Sequence, residues 1–223
     1  MRRFSWYFQR FLLYFATLLF AMWFFGPYED VEFTTEFDET RLADGVDAYL
    51  AKVEAGFDDI RDQSEKHVIW AGAAEVKTPV SVVYFHGFSA SAHEIRPVPV
   101  DLAKALGANL VYTRFQGHGR DGDAMGDATV KGWMADAVEA LAVGRAVGEQ
   151  VILVTTSTGG TLAALALHAP ELQGNVAGVV FVSPNFGVNN PAAALLTMPG
   201  VRVWGPVVAG ATQSFEPLNA AQG

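Results

Sequence analysis

The sequence predicts an α/β fold: a mostly parallel sheet with helices on both faces, preceded by an N-terminal transmembrane helix. Three observations predict it. Apolar runs alternate with helical patterns along most of the chain, the strand candidates are continuous rather than alternating, and a long uncharged apolar run stands at the start. With 223 residues, 51% hydrophobic and 17% charged, the chain can bury a sizeable core in one globular domain plus a short accessory segment.

The first element is an apolar run from Phe11 to Phe25, with Arg2, Arg3 and Arg10 before it and Gly26, Pro27, Glu29 and Asp30 after it. Arginines before and acids after place the N-terminus in the cytoplasm and the rest of the chain outside it, as a single-pass protein. The run is near the short end for a spanning helix, although Trp6, Tyr7, Trp23 and Tyr28 suit the two interfaces. A cleaved signal peptide is the competing reading. Cleavage needs small residues, and this run ends in Met22, Trp23, Phe24 and Phe25, which favours an uncleaved anchor.

Residues 1–27 are thus read as the anchor, 28–75 as a stalk with an amphipathic helix, and 76–223 as the catalytic-type domain, itself partial. The helix is expected over about 41–60, where Leu42, Val46, Tyr49, Leu50, Val53 and Phe57 recur at helical spacing; its apolar stripe is packing. Strand and helix candidates then alternate over 80–85, 97–106, 109–112, 130–147, 151–155, 158–168 and 176–182. The strands are rich in β-branched residues, as Val82 and Val83, Val151 to Val154, and Val179 to Val182 illustrate, so they are expected to be buried on both faces. Beyond Pro184 the pattern loosens through Asn189, Asn190 and Pro191 into a small-residue helix ending near Met198.

Composition removes several function classes. A net charge of -9 with no basic stripe after the N-terminus argues against a nucleic-acid partner. With no cysteine there is no disulfide, thiolate metal site or cysteine nucleophile, and His86 with His93 matches no common ligand spacing; neither metal nor cofactor is expected. No G-x-G-x-x-G follows the first strand, against a dinucleotide-binding domain.

The central motif is Thr155-Thr156-Ser157-Thr158-Gly159-Gly160, set between an apolar strand and a helical run. A tight strand-to-helix turn would hold the seryl oxygen out above the sheet edge, and small residues are needed around it because strand and helix pack closely. Gly159 and Gly160 meet that need; Thr155, where glycine is usual, must find extra room. The bland alternative is a Ser/Thr-rich helix start with Thr156 or Ser157 as a side-chain cap.

The order HGFSAS (86–91), RFQGHGRDG (114–122), TVKGWMADAVEAL (129–141) and VILVTTSTGG (151–160) resembles the α/β-hydrolase superfamily, in particular its serine aminopeptidase and monoacylglycerol-lipase-like branch, over roughly 80–184. The resemblance implies Ser157 as nucleophile, with the backbone N–H groups of Phe88 and Thr158 as the oxyanion hole. It further implies that His86 and His118 are structural, and that Trp133 and Asp136 are packing and helix-surface residues.

In that fold an acid and then a histidine follow the serine in the chain. After Ser157 the carboxylates are Glu171 and Glu216 and the one histidine is His168, eleven residues along the elbow helix and so about 16 Å away by helical rise. The chain is therefore expected to be a fragment of a longer hydrolase, inactive or nearly so, marginally stable, and with an exposed apolar edge at 176–182. The intact activity expected is hydrolysis of carboxylic esters or lipids through an acyl-enzyme. A non-catalytic membrane-anchored binding protein on the same scaffold is the rival.

Overall fold

The computed structural model describes residues 2–28, 36–187 and 189–210, with side chains from Ser5 onward. The chain divides into two compact units, one of residues 1–30 with 188–215, the other of 31–187 with 216–223.

The larger unit is built on five strands: β1 (His67–Ile69), β2 (Thr78–Phe85), β3 (Asn109–Tyr112), β4 (Gly148–Thr156) and β5 (Val176–Val182). Their order is β1-β3-β2-β4-β5. β1 runs antiparallel to β3, and every other pair is parallel, with Val83 opposite Leu153 and Leu153 opposite Val179. β4 begins at Gly148, earlier than its apolar residues suggest, because Gly148 ends one helix in extended conformation and packs against the Ser81 backbone. Glu149 and Gln150, at the exposed start of that strand, carry no apolar signal.

Helices cover both faces. On one, α3 (Val98–Leu106) brings Val100, Leu102 and Ala103 onto Val82, Tyr84, Leu110, Tyr112 and Val154. On the other, α2 (Val46–Glu54), α5 (Val130–Val147) and α6 (Thr158–His168) close over Val83, Phe85, Val111, Val151 and Leu153, and a one-turn helix, α4 (Gly122–Gly126), precedes α5 in the chain. The continuous β-branched runs of β2 to β4 are buried on both faces as their composition predicts. β5 departs from that expectation but meets the other one, of an exposed apolar edge at 176–182: Val180 and Phe181 are 47% and 41% exposed, because β5 is an edge strand.

The single helix expected over 41–60 is interrupted. A 3-10 turn, Glu39–Leu42, precedes α2, and Gly45 between them holds φ 104°, a conformation that breaks a helix. Val46, Tyr49 and Leu50 are nonetheless buried in the core, so the apolar stripe is packing. Phe57 lies beyond α2, its ring 4.7 Å from the guanidinium carbons of both Arg114 and Arg120.

In the smaller unit α1 (Arg2–Phe25) is a longer helix than the apolar run, taking in Arg10, whose guanidinium lies 3.8 Å from the centre of the Trp6 ring. Its stretch Ser5–Phe25 has mean hydropathy 1.5 and is the one segment among the described residues long and apolar enough to cross a membrane. A 3-10 helix, Pro191–Thr197, and α7 (Val201–Ala209) belong to the same unit, where the Gly200 N–H donates to the Pro27 carbonyl at 2.7 Å.

Candidate active site

β4 and α6 meet at Ser157, which holds φ 48° and ψ −115°, a backbone conformation that costs a non-glycine residue about 1–3 kcal/mol. The surrounding bonds hold it there. The Ser157 N–H donates to Val182 O at 3.0 Å, and its carbonyl accepts from the N–H groups of Gly160 at 3.0 Å and Asn185 at 3.1 Å. A methyl group on Gly159 would stand 2.3 Å from Phe85 O and 2.6 Å from His86 O, so only glycine allows α6 this close to the end of β2.

Side-chain capping does not explain this serine. Ser157 occupies the N-cap position of α6 without a side-chain capping bond, and its hydroxyl has no hydrogen-bond partner among the described residues. Thr155 finds its room inside the sheet: fully buried between Phe85 and Phe181 in register, it donates its hydroxyl to Val180 O at 3.1 Å.

The loop after β2 passes beside the elbow. A methyl on Gly87 would lie 3.3 Å from Ser157 Cβ and 2.7 Å from Glu94 Oε1. The Gly87 N–H donates to Glu94 Oε2 at 2.8 Å, and Tyr84 donates its hydroxyl to the same oxygen at 2.7 Å. Burial, then Glu94, raises the Tyr84 pKa, so its proton stays in place. Thr156 Oγ1, 3.1 Å away, is then the donor to Tyr84. The backbone N–H groups of Phe88 and Thr158 make no hydrogen bond among the described residues, Thr158 because it opens α6.

Aromatic and imidazole rings back this loop. His86 is fully buried; its Nδ1 donates to Gly87 O at 2.9 Å and its Nε2 accepts from the Phe115 N–H at 3.2 Å. Burial, with His118 close by, pushes the His86 pKa down to about 3. Burial lowers that of His118 as well. The His118 ring lies 4.7 Å from that of His86, tilted by 54°, and meets Phe88 at 6.1 Å and Trp133 at 5.6 Å between ring centres. Both imidazoles are thereby neutral spacers between the loop and the 114–120 turn.

That turn is held by charge. Arg114 makes a two-pronged pair with Glu54 at 2.8 and 2.9 Å and donates to His118 O at 3.2 Å. Asp136 accepts the Gln116 N–H at 2.7 Å and pairs with Lys66 at 2.7 Å, while Trp133 Nε1 donates to Gln116 O at 2.9 Å. Asp136 is therefore not the helix-surface residue the sequence suggests; its side chain is 17% exposed and locked in an ion pair. Lys66 also bonds Glu139, which in turn accepts the Tyr49 hydroxyl.

His168 stands exposed at the last position of α6, the helix Ser157 opens. Glu171 lies in a 3-10 turn beyond it, Pro170–Leu172, and Glu216 falls outside the described residues. A surface cavity of about 390 Å³ is lined by Gln63, Glu65, His67, Ile69, Arg96 and Val100, with none of the elbow residues among them. Sequence reasoning missed Glu94, which holds the Gly87 N–H beside the elbow; set between His93 and Ile95 with Arg96 next, it belongs to no motif that marks it.

A mostly parallel sheet with helices on both faces and a serine on the sharp turn from strand to helix is the arrangement of an α/β-hydrolase. The chain belongs to the family described as Serine aminopeptidase, S33, whose model matches residues 77–219. It is 31% identical over 135 residues to a thermostable monoacylglycerol lipase of Bacillus sp. (strain H-257), a match covering 59% of this chain and 51% of that protein. Among solved structures it is similar, with TM-score 0.53 and 24% identity over 61% of this chain and 52% of the other, to one from work on LipS and LipT, two metagenome-derived lipolytic enzymes. The chain spans about half the length of these relatives.

Proposed function

We propose that Ser157 is the nucleophile of a membrane-anchored serine hydrolase acting on carboxylic esters or lipids. The observation that carries the reading is the Ser157 backbone at φ 48°, held out of both helix and strand between β4 and α6, with its hydroxyl unengaged. A strained non-glycine residue at such a turn persists only where the surrounding structure enforces it. The monoacylglycerol lipase among the relatives supports an ester or lipid substrate.

In this mechanism Ser157 Oγ attacks the ester carbonyl carbon, and the carbonyl oxygen, now negative, accepts hydrogen bonds from the N–H groups of Phe88 and Thr158. The tetrahedral intermediate expels the alcohol and leaves an acyl-serine; water then attacks the same carbon and releases the acid. A histidine backed by an acid takes the seryl proton and gives it to the departing alcohol, then takes a proton from the attacking water and gives it to the departing Ser157 Oγ. We assign both groups to the half of the hydrolase architecture that the relatives possess outside the matched span, since His168 stands at the far end of α6. α1 holds the catalytic unit at the bilayer, with the N-terminus cytoplasmic and the hydrolase part on the other side.

The test is to read the coding sequence past the Gly223 codon, express the chain ending there and any longer frame, and treat each with a fluorophosphonate. We expect an adduct on Ser157 in the form that carries the acid and histidine, and its loss in Ser157→Ala. A locus with no further hydrolase sequence and no adduct in any form would instead favour a non-catalytic binding protein on this scaffold.

A further inference from the structure

The cavity of about 390 Å³ has no elbow residue in its wall and a chemistry of its own. β1 supplies His67 and Ile69, α3 supplies Val100, and Gln63, Glu65 and Arg96 come from the segments that lead into these two elements. Its volume falls within the range of small-molecule sites. Both His67 and Arg96 rest on Tyr112, whose ring centre lies 5.1 Å from the His67 ring and 5.2 Å from the Arg96 guanidinium carbon.

The guanidinium is fixed there and only partly used. Arg96 Nη1 donates to Gln63 Oε1 at 3.0 Å and to His93 Nδ1 at 3.4 Å, and the side chain is in no ion pair among the described residues. Burial raises the Tyr112 pKa and the adjoining Arg96 opposes that rise, so the two lie close. Yet neither Arg96 Nε nor the Tyr112 hydroxyl, both buried, has a partner in hydrogen-bonding geometry. Buried donors are nearly always bonded, so two such groups on stacked side chains mark a place that a polar partner would complete. Gln63, which anchors Nη1, holds φ 58°, a conformation that a non-glycine residue keeps only where its surroundings enforce it.

Glu65 brings the opposite charge. Its carbonyl accepts from His67 Nδ1 at 2.7 Å, which ties the residue to the cavity wall, while its carboxylate has neither an ion pair nor a hydrogen bond among the described residues. Arg96 and Glu65 thus line one small cavity without neutralising each other, beside the apolar side chains of Ile69 and Val100. A lone carboxylate drawn to Arg96 would be opposed by Glu65, and a lone ammonium drawn to Glu65 would be opposed by Arg96. A small molecule that carries both groups on an apolar body satisfies both.

We propose that this cavity is a binding site for a free apolar amino acid, with the carboxylate on Arg96, the ammonium on Glu65 and the side chain against Ile69 and Val100. The site is separate from Ser157 and does not depend on that serine being a nucleophile.

The experiment is a ligand-observed NMR titration of the full chain in lipid nanodiscs with L-leucine, with isocaproate, which lacks the ammonium, and with isoamylamine, which lacks the carboxylate. Leucine should bind about tenfold more tightly than either, the size expected of one hydrogen-bonded contact to a charged group. Glu65→Gln should abolish the preference over isocaproate and keep that over isoamylamine; Arg96→Gln should do the reverse. Glu65 is half-buried and in no ion pair, so Glu65→Gln keeps the fold and the test stands even where Arg96→Gln does not fold. Leucine binding no tighter than its two analogues, or a preference over isocaproate unchanged in Glu65→Gln, would overturn the proposal. So would tighter binding of isocaproate than of leucine, which would make the cavity a site for plain anions.

Discussion

Ser157, Thr155 and His86 illustrate how much of a site one residue's surroundings decide. Ser157 is legible from its neighbours in the chain, because a strand, a turn and a glycine-led helix follow one another locally. Thr155 is tolerated for a non-local reason, the Val180 carbonyl that receives its hydroxyl. His86 reads as one more motif residue until its burial is known. With a pKa of about 3 it stays neutral in the fold, whereas the unfolded chain takes up a proton below the ordinary value of 6.5. Above that pH the residue is neutral in both states and exerts no pull. As pH falls from about 6.5 towards 3, the unfolded state alone gains the proton, so stability declines by about 1.4 kcal/mol per pH unit. Urea unfolding followed by tryptophan fluorescence at pH 7 and pH 5 should register that decline, and His86→Gln should make it shallower.

At the scale of elements, the strands and helices from β2 to α6, apart from the one-turn helix Gly122–Gly126, follow from the chain's apolar runs, and their boundaries shift where polar residues sit on an exposed end, as in Gly148, Glu149 and Gln150. What binds α2 and the segment after it to the site was not legible. Glu54 reaches Arg114 across 60 positions and Lys66 reaches Asp136 across 70, so nothing in either neighbourhood announces the partner. The paired carboxylates outweigh the opposing effect of burial and raise the Lys66 pKa. Removing it leaves Asp136 and Glu139 buried and uncompensated, and Lys66→Met should destabilise the larger unit by about 3–5 kcal/mol in chemical denaturation. Loosening of the 114–120 turn should accompany this, because Asp136 holds the Gln116 N–H.

At the scale of the molecule, α1 contributes an apolar surface that is exposed among the described residues along Ser5–Phe25. Water solvates such a surface poorly, and a bilayer removes it from water over a length that suits 21 residues. The expected outcome is a protein that resists extraction by alkaline carbonate, is released by detergent, and is lost from the membrane fraction when residues 2–25 are deleted. Release by carbonate alone would turn the reading towards peripheral attachment. Orientation is tested separately: protease added outside spheroplasts should degrade the hydrolase unit.

By itself the sequence determined the layered α/β class, the place of the elbow and the neighbouring loop, and a membrane-length apolar helix. Each depends on periodicity, local turn chemistry or composition within a short window, where covalent connection already restricts the geometry. Only the tertiary structure decided the interruption of the helix at Gly45, the burial that keeps His86 and His118 neutral, and the bond from the Gly87 N–H to Glu94 beside the elbow. These follow from which surfaces pack together, and a carboxylate or an imidazole acquires its partners and its charge state from neighbours distant in the chain.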